Sequence, residues 1–283
     1  MNYFKNCCIS KDMKNNFQIS HNRDNYTGTV EFHSHDFYEI YFFADGNVIY
    51  YIEDESYHLK KGDVLVIPPG KLHRPVIEND IPYERYVLWL YGGYVSEKKE
   101  LGSFLNRTEE LAMEKHTRRV FFDGDAFGYL VRLFNRLNHA FYRNARGDDY
   151  ICEGCIALIA GEIYEALAAA ESFMEQKHEL VTQVISYINA NLACTPPLEE
   201  LAKRFFVSKY YLSHKFKEYT RTSIHKYILM KRINLAKQLL EQGKTPNEAC
   251  SLCGFSTYSN FYKEFKNQTG MSPKKYTKEN ITI

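Results

Sequence analysis

Two copies of one short helical pattern near the C-terminus constrain the fold of this 283-residue chain more than any other feature. In the first copy, Leu198–Glu218, apolar residues recur at helical spacing on both sides of a break, and Ser208 stands where it would cap the second helix. The second copy, Pro246–Asn267, repeats the plan, with Gly254 at a turn whose left-handed backbone favours glycine. An amphipathic stretch, Ser223–Gln242, joins the copies as one long predicted helix.

Pairs of short helices separated by a tight turn are typical of helix-turn-helix units, whose second helix enters the major groove of DNA. The joining helix, with about 20 residues, would be about 30 Å long, close to the roughly 34 Å of one turn of B-DNA. One chain could therefore place both second helices in successive major grooves. The sequence predicts an all-α DNA-binding domain over residues 178–283.

The same stretch resembles the DNA-binding domain of AraC/XylS-type transcription activators. The resemblance rests on LEELAKRFFVSKYYLSHKFKE, on Arg232 in the joining helix, on GFSTYSNFYKEFK and on the closing GMSPKKY. It implies these DNA-facing residues: Lys209, Tyr210, Ser213, His214 and Lys217 in the first unit, and Tyr258, Ser259, Asn260, Lys263 and Lys266 in the second. Asn260 is the best candidate for a base contact, because an amide pairs bidentately with adenine. Lys217 and Lys266 are expected to contact phosphates, which position the protein without reading sequence.

The charge of the chain is unevenly distributed, although its formal net value is only +1. Residues 178–283 contain 16 Lys/Arg and 8 Asp/Glu, a balance of +8, whereas the preceding 177 residues balance at −7. The basic half suits a polyanion, because neutralising phosphates supplies most non-specific DNA affinity. A solvated basic face without a partner is the alternative when charge is considered alone.

The N-terminal part of the chain carries strand signals instead of helical ones. From Tyr26 to about Tyr91 it is rich in Tyr, Val, Ile and Phe, and turn-forming clusters such as Asp45-Gly46-Asn47 divide it into short segments. Short strands at turn spacing predict a sandwich or barrel. The spacings HSHDFYE, starting at position 33, and GDVLVIPPGKLH, starting at position 62, resemble the two motifs of a cupin barrel.

In the AraC-type family such a barrel precedes the DNA-binding domain and binds the effector. The resemblance therefore implies an α+β two-domain protein with a cupin-like effector-binding barrel over residues 1–95. The implied effector-binding residues are His33, His35, Glu39, Tyr41, His73 and Trp89. Aromatic neighbours such as Tyr41 and Trp89 could stack on a sugar ring or belong to the plain core. A carbohydrate is the expected class of effector.

The polar residues of the barrel allow three interpretations. His33, His35 and Glu39 share parity on one expected strand, and His73 would approach from a neighbouring strand. Three imidazoles and a carboxylate form the ligand set of a divalent metal site. The same side chains could instead bind polar groups of a metal-free effector, or form a purely structural cluster. We expect an effector pocket without metal or other cofactor, and a metal site is the alternative.

Residues 96–177 are predicted to form a helical dimerisation segment followed by a linker at Glu171–His178. The stripe in Ile151–Leu167 would contact a second copy of the chain, as the resemblance implies, or pack within the chain. The seven cysteines suggest no disulfide framework in a chain of this length. Cys152 with Cys155 and Cys250 with Cys253 are expected to be small buried apolar residues on helices.

Taken together, these features predict a sequence-specific transcriptional regulator, not an enzyme, controlled by a small-molecule effector. Its partners would be double-stranded DNA, the effector, a second copy of the chain and, at promoters, RNA polymerase. We expect no membrane span, because no apolar run approaches the roughly 18 to 20 residues required. A cytoplasmic location is expected because the N-terminus lacks the apolar core of a secretory signal. The rivals are a metal-dependent cupin enzyme fused to a DNA-binding module and a constitutive DNA-binding protein with an inert barrel.

Overall fold

A computed structural model describes residues 17–25, 28–78, 82–115, 117–170 and 179–280 of the chain. The β-rich part begins at β1 and is built from short antiparallel strands. Within the described residues the strands are β1 (Phe17–Asp24), β2 (Gly28–Thr29), β3 (Tyr38–Asp45), β4 (Val48–Ile52), β5 (Glu55–His58), β6 (Asp63–Ile67), β7 (His73–Ile77), β8 (Tyr83–Leu90) and β9 (Arg119–Phe121). The predicted segment of short strands is thereby confirmed.

The strands form two sheets that face each other. One has five strands in the order β1-β8-β3-β6-β9, and the other has four in the order β2-β7-β4-β5. Alternate residues of β3 point in opposite directions, as the pleat of a strand requires. Tyr41 and Phe43 therefore join Tyr50, Tyr57 and Tyr83 in the core between the sheets. This inner face also holds the candidate effector site.

The other face of the five-stranded sheet is covered by helices. They are α1 (Gly92–Glu97), α2 (Lys99–Lys115), α3 (Gly124–Arg143) and α4 (Asp148–Ala169). Ile40, Phe42 and Leu88 from the sheet share one apolar core with Phe134 of α3 and Ile159 of α4. The predicted apolar stripe of α4 is therefore mostly buried within the chain, which is the intramolecular alternative raised by its sequence.

One short strand interrupts the segment that the sequence predicts to be helical. β9 pairs antiparallel with β6 and completes the five-stranded sheet. Its three residues are too few to give a period-2 pattern, so sequence periodicity could not reveal it. The fold thus extends the sheet beyond the predicted barrel boundary at residue 95. The predicted linker at 171–178 lies outside the described residues.

The described residues of the C-terminal part form helices and the turns between them. Its helices are α5 (Glu179–Ala190), α6 (Leu198–Arg204), α7 (Lys209–Thr220), α8 (Ile224–Glu241), α9 (Pro246–Leu252), α10 (Tyr258–Thr269) and α11 (Pro273–Asn280). Ser208 caps α7 as predicted, and Thr257 caps α10 by accepting a hydrogen bond from the Asn260 amide. The predicted double helix-turn-helix domain is confirmed, with α6–α7 and α9–α10 as its two units.

The two helix-turn-helix units pack in two separate apolar cores. Phe261 and Phe265 pack in the core of the second unit with the C-terminal half of α8. The core of the first unit includes Phe216 and Tyr227, and it also includes Phe32 and Leu72 from the β-rich part. The first unit and the barrel therefore share one apolar core, whereas the second unit is packed on its own.

All four cysteines that the sequence predicted to be buried are indeed buried and free. Among the described residues, no helix combines the length and the apolar character needed to cross a membrane.

Candidate effector cavity and DNA-reading surface

A cavity of about 200 Å³ lies between the two sheets. Its walls are partly polar and partly aromatic, as is typical of small-molecule sites. It is lined by Ser20, Asn22, Val30, His33, Glu39, Tyr41, Tyr50, Pro75, Ile77, Tyr83, Arg85, Val87 and Trp89. Four of the six predicted effector-binding residues are in this lining. The other two, His35 and His73, belong to the polar cluster around Glu39.

The polar cluster forms where the chain passes from one sheet to the other. His33 makes an isolated bridge with His73 beside the four-stranded sheet, whereas Glu39 lies in β3 of the five-stranded sheet. The expectation that His33, His35 and Glu39 share one strand is therefore wrong, because β3 begins only at Tyr38. The side chains nevertheless converge, since the segment crosses between two sheets that face each other.

Each histidine of the cluster is held by a hydrogen bond to a backbone carbonyl two residues away. The Nδ1 atoms of His33, His35 and His73 lie 3.1, 2.8 and 2.9 Å from the carbonyl oxygens of residues 31, 37 and 71. Burial lowers the pKa of His33, and burial together with the nearby imidazoles lowers that of His73 well below 6.5. His73 is therefore neutral at neutral pH.

Glu39 is the carboxylate at the centre of the cluster. Trp89 Nε1–H donates to one of its oxygens at 2.8 Å, and the Tyr50 hydroxyl donates to the other at 3.1 Å. His35 Nε2 lies 3.2 Å from the same oxygen that Trp89 contacts. Burial by itself would raise the pKa of this carboxyl, but these hydrogen bonds and the nearby imidazoles lower it far below 4.5. Glu39 is thus a buried carboxylate oriented by its neighbours.

The cavity also presents aromatic hydroxyls and a guanidinium group. The hydroxyls of Tyr41 and Tyr83 are hydrogen-bonded to each other. Burial raises the pKa of Tyr41 and Tyr50 well above 10, so both hydroxyls stay protonated. The Arg85 guanidinium lies 4.0 Å from the centre of the Tyr83 ring. Such a wall can hydrogen-bond a hydroxyl-rich ligand while its rings pack on the apolar faces of that ligand.

On the side away from the cavity, the four-stranded sheet contacts the DNA-binding domain. Glu53 is the main polar contact, and it is buried. Its carboxylate accepts from Lys231 Nζ at 2.8 Å, from the Tyr227 hydroxyl at 3.0 Å and from Asn189 Nδ2 at 3.1 Å. Burial alone would raise the pKa of Glu53, but Lys231 and the Leu72 amide outweigh it and lower the pKa below 4.5. One ionised side chain therefore binds both α5 and α8.

Arg74 is a second buried charge at this interface. One of its Nη atoms donates to the backbone carbonyl of Tyr219, in the last turn of α7, where a cation is favoured. Its guanidinium lies 4.7 Å from the Tyr51 ring centre and 5.1 Å from that of Phe32. Its Nε and Nη1 atoms are buried without a hydrogen-bond partner among the described residues. Burial lowers its pKa to about 10, so Arg74 stays charged at a cost in desolvation.

Weaker contacts extend along α8. The Asn234 amide donates to Ser34 Oγ at 2.7 Å, and Lys237 lies 3.6 Å from Asp36. At the solvent-exposed edge, Lys226 pairs with Glu31 at 2.9 Å. An exposed pair of this kind contributes between about 0 and 1 kcal/mol, so the buried Glu53 contacts dominate the interface.

The predicted DNA-facing residues remain accessible while the barrel is in contact with the domain. Eight of the ten are exposed, and Lys209 and Ser213 are half-buried. Lys209 makes a surface pair with Glu199 at 3.1 Å. Phe206 in the turn of the first unit is 95% exposed with φ 55°, which no sequence pattern signalled. An exposed aromatic ring beside α7 is a further candidate for contact with DNA.

Arg232 of α8 contacts two turns of the DNA-binding domain. Its Nε atom donates to the Leu192 carbonyl at 3.1 Å, and its guanidinium lies 5.9 Å from the centre of the Phe255 ring. The residue thus fixes the turn after α5 against the turn of the second unit. These two contacts give Arg232 a positioning role.

Two family models match the chain and together cover most of it. The model of the AraC-like ligand binding domain matches residues 16–146, and a helix-turn-helix domain model matches residues 201–279. The chain belongs to the AraC/XylS-type family of transcriptional regulators. Both domain matches indicate a DNA-binding regulator with a ligand-binding domain, not an enzyme.

Several curated AraC-type relatives resemble this chain. It is 35% identical over 107 residues to the probable transcriptional regulator LumQ of Photobacterium leiognathi, covering 37% of this chain and 43% of LumQ. It is 35% identical over 132 residues to the Msm operon regulatory protein of Streptococcus mutans, covering 43% and 48%. The raffinose operon transcriptional regulatory protein RafR of Pediococcus pentosaceus is 25% identical over 249 residues, covering 83% and 85%. The alignments thus span less than half the length of the first two relatives.

Proposed function

We propose that this AraC-type regulator binds a small carbohydrate in the cavity of its barrel and thereby changes how the barrel holds the DNA-binding domain. The observation that carries the proposal is an alternation of side chains along two short segments. Side chains at positions 33, 35 and 73 belong to the cavity or its polar cluster, whereas those at 32, 34, 72 and 74 contact the DNA-binding domain.

This alternation gives a physical route from ligand to DNA. Successive side chains of an extended chain point to opposite faces. A ligand that moves the backbone at His73 must also move Leu72 and Arg74, which pack on the first helix-turn-helix unit. The ligand shifts the arrangement only to the extent that it binds one arrangement more tightly than the other. By linkage, if the effector changes DNA affinity by some factor, DNA changes effector affinity by the same factor.

The chemistry of the cavity wall and the name of one relative favour a carbohydrate as the effector. The cavity combines several hydroxyl and carboxylate groups with aromatic rings. RafR is described as the regulator of a raffinose operon, and it aligns with most of this chain. Binding of a small sugar or sugar derivative by this chain is therefore the proposal to test first.

The test uses the intrinsic fluorescence of Trp89, because it is the single tryptophan of the chain and lines the cavity. Titration with mono-, di- and trisaccharides should change its emission for at least one sugar. Tyr41→Phe, which removes a hydroxyl of the cavity wall, should weaken that response by several-fold. His21→Ala provides the control, because His21 pairs with Glu84 at 2.8 Å on an exposed surface outside the cavity lining. If no sugar changed the Trp89 emission or the melting temperature of the protein, the carbohydrate proposal would be wrong.

For DNA recognition, we propose that Asn260 reads a base and that Lys217 contacts a phosphate. Both side chains are exposed on capped helices of the two units, which supports these roles. Asn260→Ala should cost about 1–3 kcal/mol on the cognate site and relax its sequence preference. Lys217→Ala should weaken binding to all sequences similarly and reduce the salt slope by about 1. Gel-shift titrations at two salt concentrations separate these outcomes, and equal losses for Asn260→Ala on cognate and random DNA would refute its role.

The remaining partners are proposed on the resemblance. Homodimer formation has no support from the α4 stripe, most of which is buried inside the chain. Leu158 of α4 is half exposed, so a second copy of the chain could make a smaller contact at this residue. Contact with RNA polymerase and a cytoplasmic location follow from a role at promoters. Sedimentation of the purified protein with and without operator DNA tests the dimer.

A further inference from the structure

The turn between α6 and α7 contains a residue that is unusual for its position. Phe206 has a left-handed backbone with φ 55°, and its side chain is 95% exposed. Bulky side chains are rare in this backbone region, because their Cβ crowds a carbonyl oxygen. An aromatic ring in water also forgoes the free energy that burial of its apolar surface would give. Neither property helps the free protein to fold, and strain held in this way is a reason to look for a function.

The second helix-turn-helix unit shows that the turn itself does not require a phenylalanine. In the first unit the Phe206 amide donates to the Lys203 carbonyl at 3.1 Å. The next amide, that of Val207, donates to the Ala202 carbonyl at 3.0 Å. In the second unit Gly254 and the residue after it make the same pair of hydrogen bonds, at 3.1 and 3.2 Å. This is the helix end in which glycine usually holds the left-handed position, so glycine would suffice where Phe206 stands.

The two turns differ in what lies against them. Gly254 is covered by the turn after α5, because a Cβ added to it would lie 2.0 Å from the Ala193 carbonyl oxygen. Phe206 has almost no cover from the described part of the chain. The turn of the second unit is thus closed by the protein itself, whereas the turn of the first unit presents a ring to solvent.

The place of Phe206 in the unit points to DNA as the partner of this ring. Phe206 stands two residues before Ser208, which caps α7. In helix-turn-helix proteins the N-terminal residues of the second helix contact base edges in the major groove. Tyr210, in the first turn of α7, is also 78% exposed. A ring at this end of α7 reaches the mouth of the groove once the helix is inserted.

The charge around the turn favours the same partner. Residues 203–217 contain five Lys/Arg and no Asp/Glu. Lys203 and Arg204 are exposed just before the turn, and Lys217 is exposed on α7. Such a surface attracts a polyanion. Its basic side chains can bind phosphates while an aromatic ring between them packs on the carbon atoms of sugars and bases.

We propose that Phe206 packs its ring on the methyl group of a thymine at the edge of the sequence read by α7. This inference rests on the DNA binding proposed above and adds a specificity-determining residue to it. The C5-methyl of thymine is an apolar feature of the major groove, and phenylalanine is among the side chains that contact it. The contact buries the ring without a hydrogen bond or a charge. DNA binding thereby offsets the exposure of the ring in the free protein.

The test uses a duplex that the full-length protein selects from a random library. Each thymine of that duplex is replaced in turn by deoxyuridine, which removes only the methyl group. Replacement at one position should weaken wild-type binding by about fourfold, the value of one buried methyl group. Phe206→Gly should bind the selected duplex at least about tenfold more weakly, because a whole ring is lost from the interface. At the sensitive position this variant should no longer distinguish thymine from deoxyuridine.

Salt dependence and thermal stability separate this role from two others. Phe206→Gly should keep the wild-type salt slope, because the ring neutralises no phosphate, whereas Lys217→Ala should reduce that slope. Phe206→Gly should not lower the melting temperature, because glycine adopts φ 55° without strain. Phe206→Tyr keeps a ring and should retain binding. Tyr150→Ala removes an 82% exposed ring from α4 and should leave DNA affinity unchanged.

Three results would overturn the proposal. If no deoxyuridine weakened wild-type binding, or if Phe206→Gly discriminated as well as the wild-type protein, Phe206 would not read a methyl group. Unchanged DNA affinity of Phe206→Gly would leave the ring without a role on DNA. In that case a loss of affinity in Asn260→Ala would still support the proposed DNA reading, so the two questions stay apart. A loss seen only on duplexes that bind two copies would assign the ring to a contact between protomers.

Discussion

Glu53→Gln should release the DNA-binding domain from the barrel. In the wild-type protein the buried carboxylate accepts hydrogen bonds from Lys231, Tyr227 and Asn189. A glutamine keeps the shape but replaces one oxygen with an NH₂ group, so donors face a donor and Lys231 loses its counter-charge. The Lys231 side chain is only 15% exposed, so water cannot fully replace the lost partner.

The size of the effect follows from the cost of leaving one member of a buried ion pair alone. Breaking such a pair typically costs about 3–5 kcal/mol. The amide retains one acceptor oxygen, so we expect the lower end, about 3 kcal/mol. That loss changes the ratio of docked to separated domains by about two orders of magnitude.

Two spectroscopic signals can measure this loss in one urea titration. Fluorescence of Trp89 reports on the barrel, whereas far-UV circular dichroism is dominated by the helices. In the wild-type protein the shared core should make the two transitions nearly coincide. In Glu53→Gln they should separate, with the transition of the C-terminal helices moving down by about 1 M urea.

A matched control lies across the same interface. Glu31 pairs with Lys226 at 2.9 Å, but both side chains are more than half exposed. Glu31→Gln should therefore change stability by less than about 1 kcal/mol. Equal effects of the two substitutions, or coincident transitions in Glu53→Gln, would refute the assignment of Glu53 as the main interdomain contact.

Three further outcomes are expected. Folding lowers the pKa of Glu53 below 4.5, so its stabilising contribution is present above that pH and is lost as pH falls through the folded value. The difference in stability between the wild-type protein and Glu53→Gln should therefore disappear in acid. Urea titrations at several pH values would contradict this if the difference persisted. Gly254→Ala should cost more than about 2 kcal/mol in thermal unfolding, because the φ of Gly254 is +76° and a Cβ there would lie 2.0 Å from a backbone oxygen. Gly243→Ala is the control. Gly243 has φ +85° but open space around it, so this substitution should cost only the backbone strain of about 1–2 kcal/mol. Thr257→Ala should lose about 0.5–2 kcal/mol by removing the cap of α10, and Ser256→Ala should not; equal losses would contradict the capping assignment.

The helical half could be predicted almost residue by residue. Ser208 was expected to cap α7, and the predicted joining helix Ser223–Gln242 agrees with α8, which spans Ile224–Glu241 and is capped by Ser223. One side chain departs from the helical pattern: the spacing of Phe261, Tyr262 and Phe265 predicts that all three face the core, but Tyr262 is 40% exposed. It lies between two buried phenylalanines in sequence, and periodicity alone cannot assign a residue at the edge of an apolar stripe.

The structure brings the predicted barrel residues close together, but in an arrangement that the sequence did not predict. The spacing of His33, His35 and Glu39 predicted side chains on one strand, and it could not show that the segment crosses between the two sheets. Arg85 and Tyr83 carried no signal at all, because they come from β8 and reach the cavity only once the two sheets face each other.

The sequence by itself determined the family, the two helix-turn-helix units and the polar residues of the barrel. Capping, turns and helical periodicity depend on neighbours within about four positions, so they are already present in the linear order. Only the tertiary structure decided that Glu53 binds Tyr227 and Lys231, about 175 residues later, and that alternate residues beside His73 face a cavity and a DNA-binding domain. Those contacts depend on how the two domains pack together, and no local pattern of residues encodes that packing.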